Sequence, residues 1–248
     1  MVAVLVACDD DSSSDFATHP SEDSSPACDV NIDENCMKDE RDGQTYRTVK
    51  IGSQTWMAEN LNYAYLQPTD ELDSSSFCYK DSVEYCAKYG RHYAWAAAMD
   101  SVGTWSANGK GCGYDKTCSP TYPVRGICPE GWHLPDTTEW NALFTAVGGS
   151  STAGKMLKST SGWNDDKGVN GNGTDAYGFS ALPAGFINYI SRFFSHEGEA
   201  AHFWSSTEDS SLLAYYIALS NNSGTARLYH SMKHLGSPVR CVKDVQAE

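Results

Sequence analysis

A chain of 248 residues with 32 acidic and 18 basic side chains carries a formal charge of -14, which excludes two classes of partner. Nucleic acid and anionic bilayer surfaces both need a basic face to meet their phosphates. Hydrophobic residues at 40% allow a real core, yet no apolar run approaches the ~20 residues of a membrane-spanning helix.

Residues 1–8 form a short apolar run ending in Leu5-Val6-Ala7-Cys8. The run resembles a bacterial lipobox, in which a small residue precedes a cysteine that becomes lipidated. The residues before Cys8 then read as a signal-peptide remnant, although they include no basic segment. A chance Leu-x-Ala-Cys is the alternative. The composition just after Cys8 favours the lipobox: residues 9–25 are Asp, Ser, Glu and Pro with almost no apolar side chain. Such a segment cannot bury enough surface to offset its ordering entropy. Residues 9–38 are therefore expected to be a disordered acidic tether that holds a domain off a membrane. It ends in a small Cys28–Cys36 disulfide loop, whose short span gives modest stabilisation.

The globular domain is expected over 39–248. Thr45 to Ile51 reads as a strand, Gly52-Ser53 as a turn, and Gln54 to Met57 as the return strand. Residues 66–90 are a polar insertion stapled by Cys78 and Cys86, and the alanine-rich stretch Arg91 to Asp100 reads as a helix. Cys112 and Cys118 bracket a Gly-rich loop. At 135–149 the signals are specific. Asp136 with Glu139 fits a capping box, and Trp140, Leu143, Phe144 and Val147 share one helical face before Gly148-Gly149. That assigns Trp140 to the core. Phe179 to Ile190 and Phe203 to Thr207 read as strands. Leu213, Tyr215, Ile217 and Leu219 alternate, Asn221 to Gly224 turns, and Thr225 to Tyr229 returns. Val239 to Val242 closes the chain. Helices first and a twisted antiparallel sheet later make the class α+β.

Cys28, Cys36, Cys78, Cys86, Cys112, Cys118, Cys128 and Cys241 form an even set that suits an oxidising compartment. No Cys-x2-Cys pair exists among them, against a zinc knuckle. Eight cysteines allow about 105 pairings, so the connectivity stays open on this count.

Several strings occur in order. They are Gly43-Gln44-Thr45-Tyr46 with Val49-Lys50-Ile51-Gly52, Gln54 to Asn62, Gly90-Arg91 with Tyr93 to Met99, and Gly126 to Pro135 with Glu139-Trp140. Tyr177 to Gly185, Trp204 to Glu208 and Val239 to Asp244 come next. Together they resemble the Fibrobacter succinogenes major paralogous domain, over roughly 39–245. That resemblance implies an envelope lipoprotein without a defined biochemical role. A more distant similarity is to the C-type-lectin-like superfold shared with formylglycine-generating enzymes. It implies two or three helices packed on a twisted antiparallel sheet with long disulfide-stapled loops. It also implies a Cys128–Cys241 bridge.

Catalytic constellations are sparse. Relatives of the oxidase type use a reactive cysteine pair near the carboxyl end, where this chain has Cys241 alone. His230-x3-His234 could present two imidazoles to a metal, but Gly236 and Pro238 come soon after and a polar loop is the favoured reading. His196 and His202 flank a Glu/Gly loop, and His133 reads as a satisfied, partly buried histidine. No Ser/His/Asp order, P-loop or Gly-x-Gly-x-x-Gly is found. The segment holding Asn164, Asp165, Asp166, Asn170, Asn172 and Asp175 is dense in hard oxygen ligands and glycines. It reads either as a calcium loop or as an Asn/Gly/Asp turn cluster. Trp163-Asn164-Asp165 resembles a lectin calcium motif placed too early in the chain.

The leading functional expectation is a non-catalytic module of the cell envelope, lipid-anchored at Cys8 in the outer membrane or at the cell surface. It would bind a glycan, with exposed tyrosine and tryptophan stacking on sugar rings, or an envelope protein. A scaffold lipoprotein without a small ligand is the first alternative. A formylglycine-generating-type enzyme is the second.

Overall fold

The computed structural model describes residues 28–69, 75–191 and 193–245. Cys8, the signal-peptide remnant and the tether up to residue 27 lie outside them. Strand β1 (Cys36–Lys38) pairs with β2 (Thr45–Ile51), so the folded unit includes residues assigned to the tether. Strands β2 and β3 (Gln54–Met57) form the hairpin read from the sequence, with Ile51 opposite Gln54 across Gly52-Ser53.

The polar insertion contains β4 (Ser76–Phe77), a 3-10 turn at Tyr79–Asp81 and helix α1 (Val83–Tyr89). A disulfide joins Cys78 to Cys86. The alanine-rich stretch departs from expectation. His92–Ala94 is a strand, β5, held between β4 and β12 (Leu235–Ser237). Only Trp95–Ala98 makes a helical turn, α2. Pairing on both edges and complete burial override local helix propensity, a weak determinant beside tertiary contacts.

A long loop leads to β6 (Trp132–His133) and α3 (Thr137–Ala146). The capping box is present: Asp136 accepts from the backbone of Thr138 and Glu139, and Glu139 accepts from the Asp136 N–H at 2.9 Å. Gly148 and Gly149 end α3, but Gly149 also starts a helix that composition hides, α4 (Ser150–Leu157). A side chain at Gly154 would meet the Thr225 carbonyl at 2.6 Å, so α4 lies directly on the turn before β11.

The second half contains β7 (Phe186–Asn188), β8 (Phe193–Ser195), β9 (Ala200–Glu208), β10 (Leu213–Ser220), β11 (Arg227–Met232), β12 and β13 (Val242–Lys243). The segment from Phe179 to Gly185 is irregular rather than strand, with Ser180 and Gly185 at positive φ. The alternation in β10 is also interrupted. A bulge between Ala214 and Tyr216 buries Ala214, and the inward set is Ala214, Ile217 and Leu219.

The strands form three antiparallel sheets, ordered β1-β2-β3-β13-β6, β11-β10-β9 and β4-β5-β12-β7-β8. Sheet therefore dominates, and helices are few and short. Strands also come first as well as last, because β13 returns between β3 and β6. One core gathers Trp95, Trp132 and Trp204 around the Cys128–Cys241 bridge. A second stacks Trp56, Trp140, Phe179 and Phe203. Cys28–Cys36 and Cys112–Cys118 complete the four disulfides. Among the described residues no helix is long and apolar enough to cross a membrane.

Candidate functional site

The segment read as a calcium loop or a turn cluster lies against a buried cation. Lys158 is buried, and its ammonium donates to the carbonyls of Gly171 (2.6 Å), Ser220 (2.8 Å) and Ser223 (3.3 Å). Burial pushes Lys158 down to about 8. Three more of the loop's oxygens accept hydrogen bonds from the chain itself. Asn170 accepts from the Asn172 N–H, Asn172 accepts from the Trp163 N–H, and the Asn164 carbonyl accepts from Asn221. Asp165, Asp166 and Asp175 are not gathered, and no three His, Cys, Asp or Glu among the described residues form a metal-holding group. The dense Asn, Gly and Asp content builds a turn cluster fastened by the chain's own cation.

Asp175 belongs instead to a cleft of about 410 Å³. Its walls come from β2, the segment after β3, the end of α1, and the loops at 159–161 and 175–182. At its base lies Arg240, 1% exposed and supplied by the chain's closing segment just before β13. The guanidinium donates to Asn60 Oδ1 (2.6 Å) and to the carbonyls of Met57 (3.1 Å), Phe179 (2.5 Å) and Ser180 (3.0 Å). It lies over the rings of Phe179 and Phe203 and forms no ion pair with a carboxylate among the described residues. Burial pushes Arg240 down to about 9, against the attraction of Glu59 and Asp175. Glu59 pairs with Arg47 at 3.2 Å across the cleft wall. Asp175 accepts from the Ser180 N–H (2.7 Å) and hydroxyl (2.5 Å). Charge is nearly balanced over a lining otherwise rich in Ser, Thr, Asn and Gln. Sequence reasoning misses Arg240 as a site residue. Its one signal is a charged residue inside the apolar run Val239 to Val242.

His133 is buried, as expected, and links two distant parts of the chain. Nδ1 lies 2.6 Å from Asp244 and Nε2 lies 2.7 Å from Glu139, the residue that caps α3. Neither ring nitrogen is left to take a proton from an occupant of the neighbouring 360 Å³ cleft. His230 lies in strand β11 rather than in a loop, 3.6 Å from Asp209. His234 lies in the turn beyond it, with its ring against Tyr114. His196 and His202 both stack on one residue, Phe186.

The histidines are expected to give stability a two-sided pH dependence. Burial pushes His92 down to about 4, opposed by its bonds to the Ala184 and Gly185 carbonyls. Burial, with His196 and His92 acting in the same direction, pushes His202 down to about 3. An unfolded histidine titrates near ~6.5, so the stability of keeping these rings neutral is present above that value and lost as pH falls below it. His133 has the opposite sign. Burial disfavours its charge, but Glu139 and Asp244 outweigh burial and raise it. Its contribution is present below ~6.5 and lost as pH rises through the raised value. Thermal unfolding across pH is expected to give a maximum near ~6.5. His92→Gln should flatten the acid limb, and His133→Gln the alkaline limb. A melting temperature flat from mildly acidic to mildly alkaline pH would contradict this assignment.

The tryptophans do not supply the expected sugar platform. Trp56, Trp95, Trp132, Trp140, Trp163 and Trp204 are buried, and Trp105 is half-buried. Core packing claims their large apolar surface. Among the described residues the exposed aromatics are Tyr122, Tyr177, Phe193 and Tyr229.

Fold and cleft together define a sheet-dominated, disulfide-stapled domain with a polar, charge-balanced cleft. The chain matches the model of the Fibrobacter succinogenes major domain over residues 49–243, and it belongs to that family. The matched span contains Glu59, Asn60, Asp175, Ser180 and Arg240. No curated protein and no solved structure matches the chain.

Proposed function

We propose that this chain is a non-catalytic binding module of the cell envelope, held by a lipid at Cys8, which takes a polar ligand of saccharide size into the Arg240 cleft. The observation that carries this reading is the cleft itself, a concave site lined by polar groups converging on a buried guanidinium. A concavity of this size suits a glycan unit better than a flat protein surface. Four disulfides suit an oxidising compartment. The non-catalytic part rests on two features: Cys241 is bonded to Cys128, and both nitrogens of His133 are held. Likeness to the C-type-lectin-like superfold is supported by the Cys128–Cys241 bridge that the likeness implied. A scaffold role is the second reading, favoured by the burial of the tryptophans.

A glycan array probed with the full chain carrying Cys8→Ser tests the ligand. Thr160 is exposed at the cleft wall, so Thr160→Trp should plug the cleft. Binding abolished by Thr160→Trp supports the module, and an array silent for both proteins favours the scaffold. For the anchor, the unsubstituted chain should fractionate with membranes and Cys8→Ser should become soluble. Equal partitioning of the two would remove the lipid at Cys8.

A further inference from the structure

We infer, resting on the cleft function proposed for this chain, that the cleft recognises a neutral saccharide through a vicinal diol, bridged between Asp175 and Arg240 without a metal ion. Ser180 stands between these two side chains. Its carbonyl accepts from Arg240 Nη2 at 3.0 Å, while its N–H and hydroxyl donate to the two oxygens of Asp175. A guanidinium donor and a carboxylate acceptor thereby share one neighbour, Ser180, in the lining of the same cleft. A guanidinium has five N–H groups. Four of those on Arg240 go to Asn60, Met57, Phe179 and Ser180. The remaining one, on Nη2, has no partner among the described residues, and we assign it to an occupant. A carboxylate offers about four lone-pair positions, and Ser180 uses two of those on Asp175.

The backbone holding Asp175 is strained. Asp175 has φ 45° and Ser180 φ 51°, a left-handed conformation uncommon for residues other than glycine, with Gly178 between them at φ 72°. Here the paired Asp175–Ser180 bonds hold the turn, and Tyr177 stands exposed on it.

One hydroxyl of a vicinal diol donates to Asp175, and its neighbour accepts the free Arg240 N–H. The two adjacent oxygens match the adjacent donor and acceptor. An acidic sugar fits worse, because a carboxylate placed on Arg240 comes up against Asp175, with Glu59 in the same cleft. Arg47 is engaged by Glu59, and Lys88 on the wall lies 4.9 Å from the Tyr89 ring. Asp175 takes hydroxyls directly, so no bridging cation is required.

Calorimetry of the full chain carrying Cys8→Ser tests this with two probe sets, neutral cello-, xylo- and manno-oligosaccharides and acidic oligogalacturonates, each with and without chelator. The expected result is binding of a neutral oligosaccharide, unchanged by chelator and abolished by Thr160→Trp. Asp175→Asn should weaken it about tenfold, equivalent to ~1.4 kcal/mol, and should improve oligogalacturonate binding. Neutral affinity indifferent to Asp175→Asn, or lost in chelator, would overturn the inference, as would silence with every probe. Oligogalacturonate bound by the unsubstituted cleft and blocked by Thr160→Trp would overturn neutrality while leaving the cleft reading intact. Saccharide binding that survives both substitutions would discard the inference and the cleft reading together.

Discussion

Replacing Cys128 and Cys241 with alanine is expected to destabilise the domain by about 5 kcal/mol, as much as the whole stability of many domains. The bridge joins residues 113 apart in sequence. In the chain-entropy description its effect comes from the unfolded state, which it deprives of a large loop. Cys28–Cys36, Cys78–Cys86 and Cys112–Cys118 span 8, 8 and 6 residues. The same description gives each of these short loops about 2–3 kcal/mol. Both sulfurs of the long bridge are fully buried in the core that holds Trp95, Trp132 and Trp204. Its loss therefore also loosens packing. Cys241 lies beside Arg240, and its carbonyl accepts from the Met57 N–H at 3.0 Å. The bridge thus anchors the segment that forms the floor of the cleft. Denaturant titration of Cys128→Ala/Cys241→Ala beside Cys28→Ala/Cys36→Ala checks the ranking. Equal losses would show that loop length does not govern these bridges.

The parts of this fold that can be read from the sequence are those decided within a few residues. The β2–β3 hairpin comes from alternation across Gly52-Ser53, and α3 comes from Asp136, Glu139 and the face of Trp140, Leu143 and Phe144. Spacing also predicts the Cys28–Cys36 and Cys78–Cys86 bridges, whereas the Cys128–Cys241 bridge is reachable only through resemblance. Elements decided by distant partners escape a local reading. Tyr93 and Ala94 are strand because Ser76, Ser237 and Gly236 pair with them, and a Ser/Gly-rich stretch becomes α4 because it packs on the turn at Thr225. The cleft obeys the same division. Asp175 stands out as a hard oxygen ligand, but its partner, Ser180, lies beyond the segment weighed for calcium. Lys158 and Arg240 look like ordinary cations in the sequence. Their burial depends on carbonyls from remote loops, which no local pattern records.

Arg240→Met is expected to destabilise the domain by about 4 kcal/mol, as when one partner of a buried polar network is removed. The substitution keeps much of the apolar stem but leaves Asn60 Oδ1 and the carbonyls of Met57, Phe179 and Ser180 without their donor. Each buried acceptor so orphaned costs about 1–3 kcal/mol, reduced where the cleft admits water. The guanidinium's contacts with the Phe179 and Phe203 rings are lost as well. Arg240→Lys should recover only part of the loss, because three donors on a compact ammonium cannot reach four acceptors arranged around a planar group. Arg47→Ala provides the contrast. Arg47 and Glu59 are 41% and 31% exposed, and a pair so open to water contributes at most about 1 kcal/mol. Denaturant midpoints of the three variants, read with an unchanged denaturant slope, separate the cases. A loss at Arg47→Ala equal to that at Arg240→Met would mean that the charge balance of the cleft stabilises this region. The expected ordering assigns that role to the carbonyl cage around Arg240.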